Sequence, residues 1–565
     1  MSLPPIPALF RRSKALSGGW FTLSATVEQL LLATSVFWML TANVPFFSAA
    51  LQGRAPGEPQ TWSFLFALGV LLVAAHFLLL ALLCNRWTVK PLLALLLLAT
   101  AMAVHFMRAY GVYLDPSMLR NALRTDVAEA GELLSWTLLP QLTILVGLPW
   151  LLLWRVRLVQ RPWPTALGRR FGALLLAAVA AGGALLAIFQ PFSSLMRNHK
   201  ELRYLITPAN YLWSLASVIA ADARGAARPR QAIGLDATPG PSWATRDKPL
   251  LVVLVVGETA RAANWGLNGY ARQTTPELAK LPVINFPEVS SCGTNTEVSV
   301  PCLFAPVGRR NYDSARIDGS ESLLHVLARA GVTVHWRDNQ SGCKGVCDGL
   351  SNDSVISLNP PGSCAGGRCL DSGLLYGLDE RLAAARGTQL LVLHQLGNHG
   401  PSYFRRYPPA FARFAPACGS DDLQRCRREE IVNAYDNALL YTDHVLASLI
   451  ASLQARADKV DSAVIYVSDH GESLGENNLF LHGLPYAIAP KEQTRVPMFM
   501  WLSADLPRHA GIDRQCLEQR ATKPVSHDHL FHTVLGVFGV SASEYDPNLD
   551  LLRSCIEPAP RTATR

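Results

Sequence analysis

Apolar positions are concentrated at the start of the chain, where five runs are long enough to be membrane helices: 28–50, 62–84, 91–110, 137–154 and 171–192. Each is close to the roughly 20 residues that cross a hydrocarbon core as a helix. This reading is preferred to buried helices of a large soluble core. From residue 249 the pattern changes to short, continuous apolar stretches at 250–257, 390–397, 463–469 and 496–502, with helical patterns at 319–330, 428–455 and 526–538. Continuous apolar strands are expected of an α/β sheet covered on both faces. The predicted organisation is a five-helix α-helical transmembrane domain at 1–192, a bridging helix and flexible tether at 193–248, and a soluble domain at 249–565. Residues 116–135 mix apolar and charged positions at helical spacing, which predicts an interfacial helix. The Pro, Gly and Arg content of 223–248 predicts the tether.

Charge orients this arrangement. Arg11, Arg12 and Lys14 precede the first run, Arg86 and Lys90 separate the second from the third, and Arg155, Arg157, Arg161, Arg169 and Arg170 separate the fourth from the fifth. The opposite loops carry Arg54, then Arg120 and Arg124 mixed with Asp115, Asp126, Glu129 and Glu132. The positive-inside rule makes the N-terminus cytoplasmic and places everything after about residue 193 outside. The first run is long and lacks a small-x-small cleavage site, so it is expected to remain as a helix. The formal charge of +8 is partly explained by these anchors, and no nucleic-acid partner is expected.

Cysteine usage agrees. Ten of the eleven cysteines follow residue 290, mostly in short-range pairs, which predicts disulfides in an oxidising compartment. The expected pairs are 292 with 302, 343 with 347, 364 with 369, 418 with 426, and 516 with 555. Zinc ligation by Cys343 and Cys347 is the rival reading. Cys84 lies in an apolar run and is expected as a buried free thiol.

Candidate chemistry sits where the strands end. The first strand runs into Gly257-Glu258-Thr259 and the third into Ser468-Asp469-His470-Gly471-Glu472, while the second carries His394 and then Gly397-Asn398-His399-Gly400. Ligand sites in open α/β sheets lie at such strand ends. Glu258, Asp469 and His470 form an oxygen-and-nitrogen set suited to zinc if their strands are neighbours. The hydroxyl-rich segment SCGTNTEVSVPC, between Cys292 and Cys302, offers nucleophiles, but physics alone selects none of them.

The ordered motifs VGETARAANWGLNGYARQTTP, NFPEVSSCGTNTEVSVPCLF, RDNQSGCKGVCD, LGNHGP, SDHGESLGE and LHGLPYAIAPKEQ resemble those of the lipid A phosphoethanolamine transferases, a family that includes the mobile colistin-resistance enzymes. The resemblance covers essentially the whole chain. It implies an α/β/α alkaline-phosphatase-like domain of the sulfatase superfamily. It further implies Thr296 as the nucleophile, and Glu258, Thr296, Asp469 and His470 as ligands of a catalytic zinc. Lys344, His399 and His482 match family positions that contact the phosphoethanolamine group or a second zinc. Gln340 stands where the mobile-resistance enzymes carry asparagine.

The implied reaction moves phosphoethanolamine from phosphatidylethanolamine to a phosphate of lipid A through a phosphorylated threonine. It implies a monomer in the bacterial inner membrane with its catalytic domain in the periplasm, and resistance to polymyxin. Related acceptors (Kdo, core oligosaccharide, a periplasmic glucan), transfer of phosphoglycerol, and a catalytically silent membrane sensor remain alternatives. A plain sulfatase is disfavoured, because residues 299–303 (SVPCL) lack the Cys/Ser-x-Pro-x-Arg sequence.

Overall fold

The computed structural model describes residues 23–125, 127–133, 136–226, 229–243 and 246–556. Arg11, Arg12, Lys14 and Asp126, used above to orient the chain, lie outside these ranges. The chain divides into two compact units: one contains the chain up to Phe47 with Leu51–Ala101 and Pro140–Ser194, and the other contains Ser48–Ala50, Met102–Leu139 and Leu195–Arg565.

Among the described residues, four helices are long and apolar enough to cross a membrane: Pro59–Leu83, Val89–Tyr110, Leu138–Arg155 and Trp163–Ala187. The pair Val27–Thr41 and Val44–Ala50, bent by 54°, supplies a fifth if counted as one span. Thr26 starts the first of these helices with a capping box, accepting from Gln29 N while Gln29 Oε1 accepts from Thr26 N. A π turn, Thr143–Gly147, interrupts Leu138–Arg155 just before Pro149, where the proline ring has no N–H for the helical ladder. Helix Pro59–Leu83 packs against Trp163–Ala187 and Val27–Thr41. The guanidinium of Arg170 donates to the carbonyls of Ala81 and Cys84, covering groups left open at the end of Pro59–Leu83. Cys84 is a buried free cysteine, as expected.

The second unit is built on an eight-stranded sheet. Its strands in chain order are β1 (Leu250–Gly257), β2 (Ile284–Ser290), β3 (Thr333–Asp338), β4 (Ser351–Ser354), β5 (Thr388–His394), β6 (Asp461–Ser468), β7 (Arg495–Leu502) and β8 (Val525–Ser526). Their spatial order is β8-β2-β7-β6-β1-β5-β3-β4. The central strands β6, β1, β5 and β3 run parallel, and β7 is antiparallel to both β6 and β2. Every residue of β1 and β6 is buried, which explains their unbroken apolar runs. Helices Leu323–Arg329 and Leu530–Phe538 contribute to the core on the sheet. The helix Arg428–Gln454 buries Tyr435, Asp436 and Asn437 along with its apolar residues.

Five disulfides join the expected partners: Cys292–Cys302, Cys343–Cys347, Cys364–Cys369, Cys418–Cys426 and Cys516–Cys555. The pairing of Cys343 with Cys347 removes both thiolates from metal ligation.

The expected flexible tether is instead held at its described residues. Gln231 N donates to Gly319 O at 2.7 Å and Gln231 O accepts from Glu321 N at 2.9 Å. Thr238–Pro239 pairs with Val540–Ser541, and the indole N–H of Trp243 donates to Phe538 O at 2.6 Å. Lys248 closes the segment with an ion pair to Asp505 at 2.9 Å. The Pro, Gly and Arg content suggested freedom; backbone pairing, one indole and one ion pair supply the hold. Replacing Trp243 by alanine should speed tryptic cleavage at Arg246 roughly tenfold, the effect of losing about 1 kcal/mol or more of local hydrogen bonding. Limited proteolysis of the full chain reads this, and cleavage at the wild-type rate would assign the hold to the strand pairing alone.

Candidate active site

The strand ends converge as the sequence suggested. β1 lies between β5 and β6, with Ser468 opposite Gly257 and His394 opposite Val256. Glu258 and Asp469 therefore emerge side by side, and His470 follows. All three are fully buried, and one ligand atom from each lies within 4.8 Å of the others. His470 Nε2 is 3.3 Å from Glu258 Oε1 and 3.4 Å from Asp469 Oδ2. Its Nδ1 lies 2.9 Å from Gly471 O, which orients the ring with Nε2 toward the carboxylates.

The hydroxyls of Ser291, Thr294 and Thr296 face different ways. Ser291 donates to Gly293 O, and Thr294 turns away to donate to Leu484 O at 2.6 Å. Thr296 Oγ1 donates to Glu258 Oε2 at 3.1 Å and lies 3.5 Å from His470 Nε2. Thr296 is the first residue of helix Thr296–Leu303, which is capped by Asn295 accepting from Val298 N at 3.1 Å. The helix start places its hydroxyl where partial positive charge favours an anion.

Local backbone conformation is specialised here. Thr259, a β-branched residue, has φ +60°, a region such side chains rarely adopt. Asp469 Oδ1 accepts from its amide at 3.2 Å and Tyr435 donates to its carbonyl at 2.8 Å, so tertiary contacts hold the strain. Gly397 (φ +51°) lies so close to Glu258 that a Cβ would stand 2.5 Å from the Glu258 carbonyl oxygen.

His482 Nδ1 is 2.8 Å from Glu472 Oε2, and Tyr403 donates to the other oxygen of Glu472 at 2.5 Å. The His482 ring is 4.3 Å from that of His470 and 5.3 Å from that of His399. Lys344 (φ +49°) does not reach the carboxylate pair; its Nζ is 2.9 Å from Glu297 Oε1 and donates to Ser341 at 2.6 Å. Arg124 holds the other Glu297 oxygen at 2.9 Å. The side-chain oxygen of Gln340 accepts from both the amide and the hydroxyl of Ser341. Sequence reasoning missed the supporting roles of Glu472, Tyr403 and Glu297. Glu472 belonged to a motif already singled out, whereas nothing in the sequence pairs Glu297 with a lysine 47 positions away.

Electrostatics explains what the set can hold. Burial and the charge of Glu258 push Asp469 up to about 7. Burial alone would lower His470, but the Asp469 and Glu258 carboxylates raise it to about 10. Burial likewise opposes ionisation of Glu258, yet the hydrogen bond and charge of His470 hold it well below the usual carboxylate range. His482 is lowered by burial and by the charge of His470. Among the described residues no group donates a hydrogen bond to the buried Asp469 Oδ2. Two carboxylates, an imidazole nitrogen and a hydroxyl around an unfilled lone pair fit a divalent metal ion.

A doubly covered α/β sheet with a threonine over such a donor set defines a class, and the family model for Sulfatase matches residues 251–540. The model for Phosphoethanolamine transferase EptA/EptB matches residues 72–223. The chain is 38% identical to the phosphoethanolamine transferase EptA of Escherichia coli K12 over 93% of this chain and 96% of that protein. It is also 38% identical to the phosphatidylethanolamine transferase Mcr-1 of Escherichia coli, over 94% and 99% of the two chains. The solved integral membrane lipooligosaccharide phosphoethanolamine transferase A of Neisseria meningitidis superposes with a TM-score of 0.90 at 37% identity, covering 95% of this chain and all of that one. The chain belongs to the phosphoethanolamine transferase family.

Two outcomes follow from this geometry. A metal bound here must displace protons from His470 and, below about 7, from Asp469 as well. Affinity should therefore rise with pH, by up to roughly tenfold per unit above pH 7 and more steeply below it; calorimetry in buffers of different ionisation heat should record net proton release, and pH-independent affinity would contradict the charge assignment. Gly397→Ala should lower stability by about 1 kcal/mol or more, through the positive φ and the Glu258 contact. Thermal unfolding measures it.

Proposed function

We propose that this transferase moves phosphoethanolamine from phosphatidylethanolamine to a phosphate of lipid A, with Thr296 as nucleophile and zinc held by Glu258, Thr296, Asp469 and His470. The observation that carries the reading is the Thr296 hydroxyl, 3.1 Å from Glu258 and 3.5 Å from His470 within a buried donor set. Similarity along nearly the whole of two relatives named for phosphoethanolamine and phosphatidylethanolamine transfer supports the donor. When bound, zinc supplies Lewis acidity that lowers the pKa of the threonine hydroxyl and polarises a phosphoryl oxygen.

The chain's own residues divide the remaining work. Glu258 orients the Thr296 hydroxyl by accepting its proton in a hydrogen bond. Thr296 Oγ1 forms a bond to phosphorus, the bond from phosphorus to the diacylglycerol oxygen breaks, and the proton lost by Thr296 ends on that oxygen. His482, anchored through Nδ1 by Glu472, presents Nε2 as the station that carries this proton. His399 beside it and Lys344 contact the phosphoethanolamine group, the lysine as a point charge. In the second half-reaction a phosphate oxygen of the acceptor attacks phosphorus, the bond to Thr296 breaks, and Thr296 regains a proton.

The N-terminus is cytoplasmic and the sheet unit faces the periplasm of a bacterial inner membrane, where five disulfides are compatible with an oxidising compartment. The enzyme acts as a monomer. Adding an ammonium beside a lipid A phosphate removes net negative charge from the outer surface and weakens binding of cationic peptides such as polymyxin.

Intact-lipid mass spectrometry of cells expressing wild type, Thr296→Ala and Glu258→Ala tests this. Wild type should add one phosphoethanolamine to lipid A, and loss of the nucleophile should reduce the product by roughly a thousandfold or more. Modification surviving in Thr296→Ala would remove the threonine intermediate, and modified core oligosaccharide beside unmodified lipid A would change the acceptor.

A further inference from the structure

A cleft of about 810 Å³ opens beside the nucleophile's helix, which contributes Glu297 and Pro301 to its wall. The rest of the wall comes from helix Pro116–Arg124, the segments around Asp222, Pro229–Gln231 and Ser314–Ser320, and Lys344. Five cationic side chains line it: Arg120, Arg124, Arg230, Arg316 and Lys344. Among the described residues three carboxylates of the wall, Asp222, Glu297 and Asp318, face them, and Asp348 reaches Arg230 from beside it.

These charges are arranged and not merely crowded. Arg120 is 3.3 Å from Asp222 and 3.4 Å from Asp318. Glu297, whose side chain is 3% exposed, takes Arg124 on one oxygen and Lys344 on the other, both at 2.9 Å. Arg230 donates to the carbonyl of Gly345, beside Lys344, and pairs with Asp348 at 3.0 Å. The carboxylates thus hold extended cations in place, and with Asp348 counted the described residues leave one positive charge in excess for a ligand.

We propose that this cleft binds the phosphorylated headgroup of the acceptor glycolipid, with Arg120 and Arg230 gripping the phosphate group; the inference rests on the transferase reading above. Both lipid substrates bring a phosphate, so charge separates them. The donor is a phosphodiester whose single negative charge is offset by its own ammonium. The acceptor is a phosphomonoester carrying up to two negative charges and no ammonium. A net-cationic cleft favours the second, and guanidinium groups match a phosphate's oxygens bidentately. The volume lies in the range of small-molecule sites and exceeds what a bare phosphate fills, leaving room for the sugar that carries it. Glu297 follows Thr296 directly in the chain, so a phosphate in the cleft lies next to the helix whose first residue bears the phosphoester. Thr296 itself does not line the cleft, so the acceptor phosphate is delivered along the Glu297 side of that helix; at Thr296 its oxygen forms the new bond to phosphorus while the bond to Thr296 Oγ1 breaks, the threonine oxygen keeping the electron pair and taking up a proton.

The two half-reactions can be timed separately in full-length protein in phosphatidylethanolamine nanodiscs. Intact-protein mass spectrometry follows growth of the phosphoethanolamine adduct on Thr296 and then its loss on adding lipid A. In Arg120→Gln and Arg230→Gln, adduct loss to lipid A should slow roughly ten- to a hundredfold, the worth of one charge-assisted phosphate contact. Adduct formation should slow at least tenfold less, and it also reports that each variant is folded. Asp318→Asn removes a carboxylate competing for Arg120 and should lower the acceptor KM roughly two- to fivefold. Equal slowing of both half-reactions, adduct loss at the wild-type rate in both arginine variants, or a raised acceptor KM in Asp318→Asn would overturn the assignment. Failure of the wild type to form any adduct is a different result, which sinks the underlying transferase reading.

Discussion

Two carboxylates buried side by side set the terms for the rest of the sheet unit. Glu258 and Asp469 meet because β1 and β6 are parallel neighbours in register, Gly257 opposite Ser468. Paired buried negative charges are strongly unfavourable unless cations and donors answer them. The amides of Thr259 and His470 both donate to Asp469 Oδ1, and His470 stands between the two acids. Further elements keep those answers in position. Tyr435 bridges Thr259 O and Arg261 N. His527, lowered to about 3 by burial and therefore neutral, accepts from Cys292 N and sits 3.0 Å from Ser468 O, joining the loop before Thr296 to the strand that leads into Asp469.

The segments between the apolar helices and the sheet are part of this construction. Helix Pro116–Arg124 packs on helix Thr296–Leu303, where Asn295 donates to Ser117 at 3.4 Å and Arg124 reaches Glu297. Glu132 receives Arg406 at 2.6 Å and Arg368 at 3.1 Å. Arg406 in turn donates to the His399 carbonyl at 2.7 Å. A residue placed far from the sheet by the sequence is thus two contacts from a histidine of the site.

Legibility in the sequence followed physical signal. β1, β5, β6 and β7 were readable because burial on both faces leaves unbroken apolar runs; β2 was not, because its INFPEVS carries Pro287 and an exposed Glu288. Nothing in composition distinguishes the antiparallel β7 from its parallel neighbours. Glu258, Asp469 and His470 stood out as polar residues ending apolar strands. Thr296 did not, since Thr294 and Ser291 offer the same chemistry and only three-dimensional direction separates them; the family resemblance supplied that choice. The held tether was hidden for the same reason, its partners lying roughly 90 to 300 positions away.

The Cys292–Cys302 bond encloses Thr296 in a covalent ring. Closing such a ring removes conformational freedom from the segment before any packing acts on it. Ring closure is an oxidation, so this restraint on the Thr296 segment requires an electron acceptor in addition to folding. The direction of the Thr296 hydroxyl thus rests on two independent holds, one made by redox chemistry and one built from the Asn295 cap, the Thr294 bond to Leu484 and the His527 bond to Cys292.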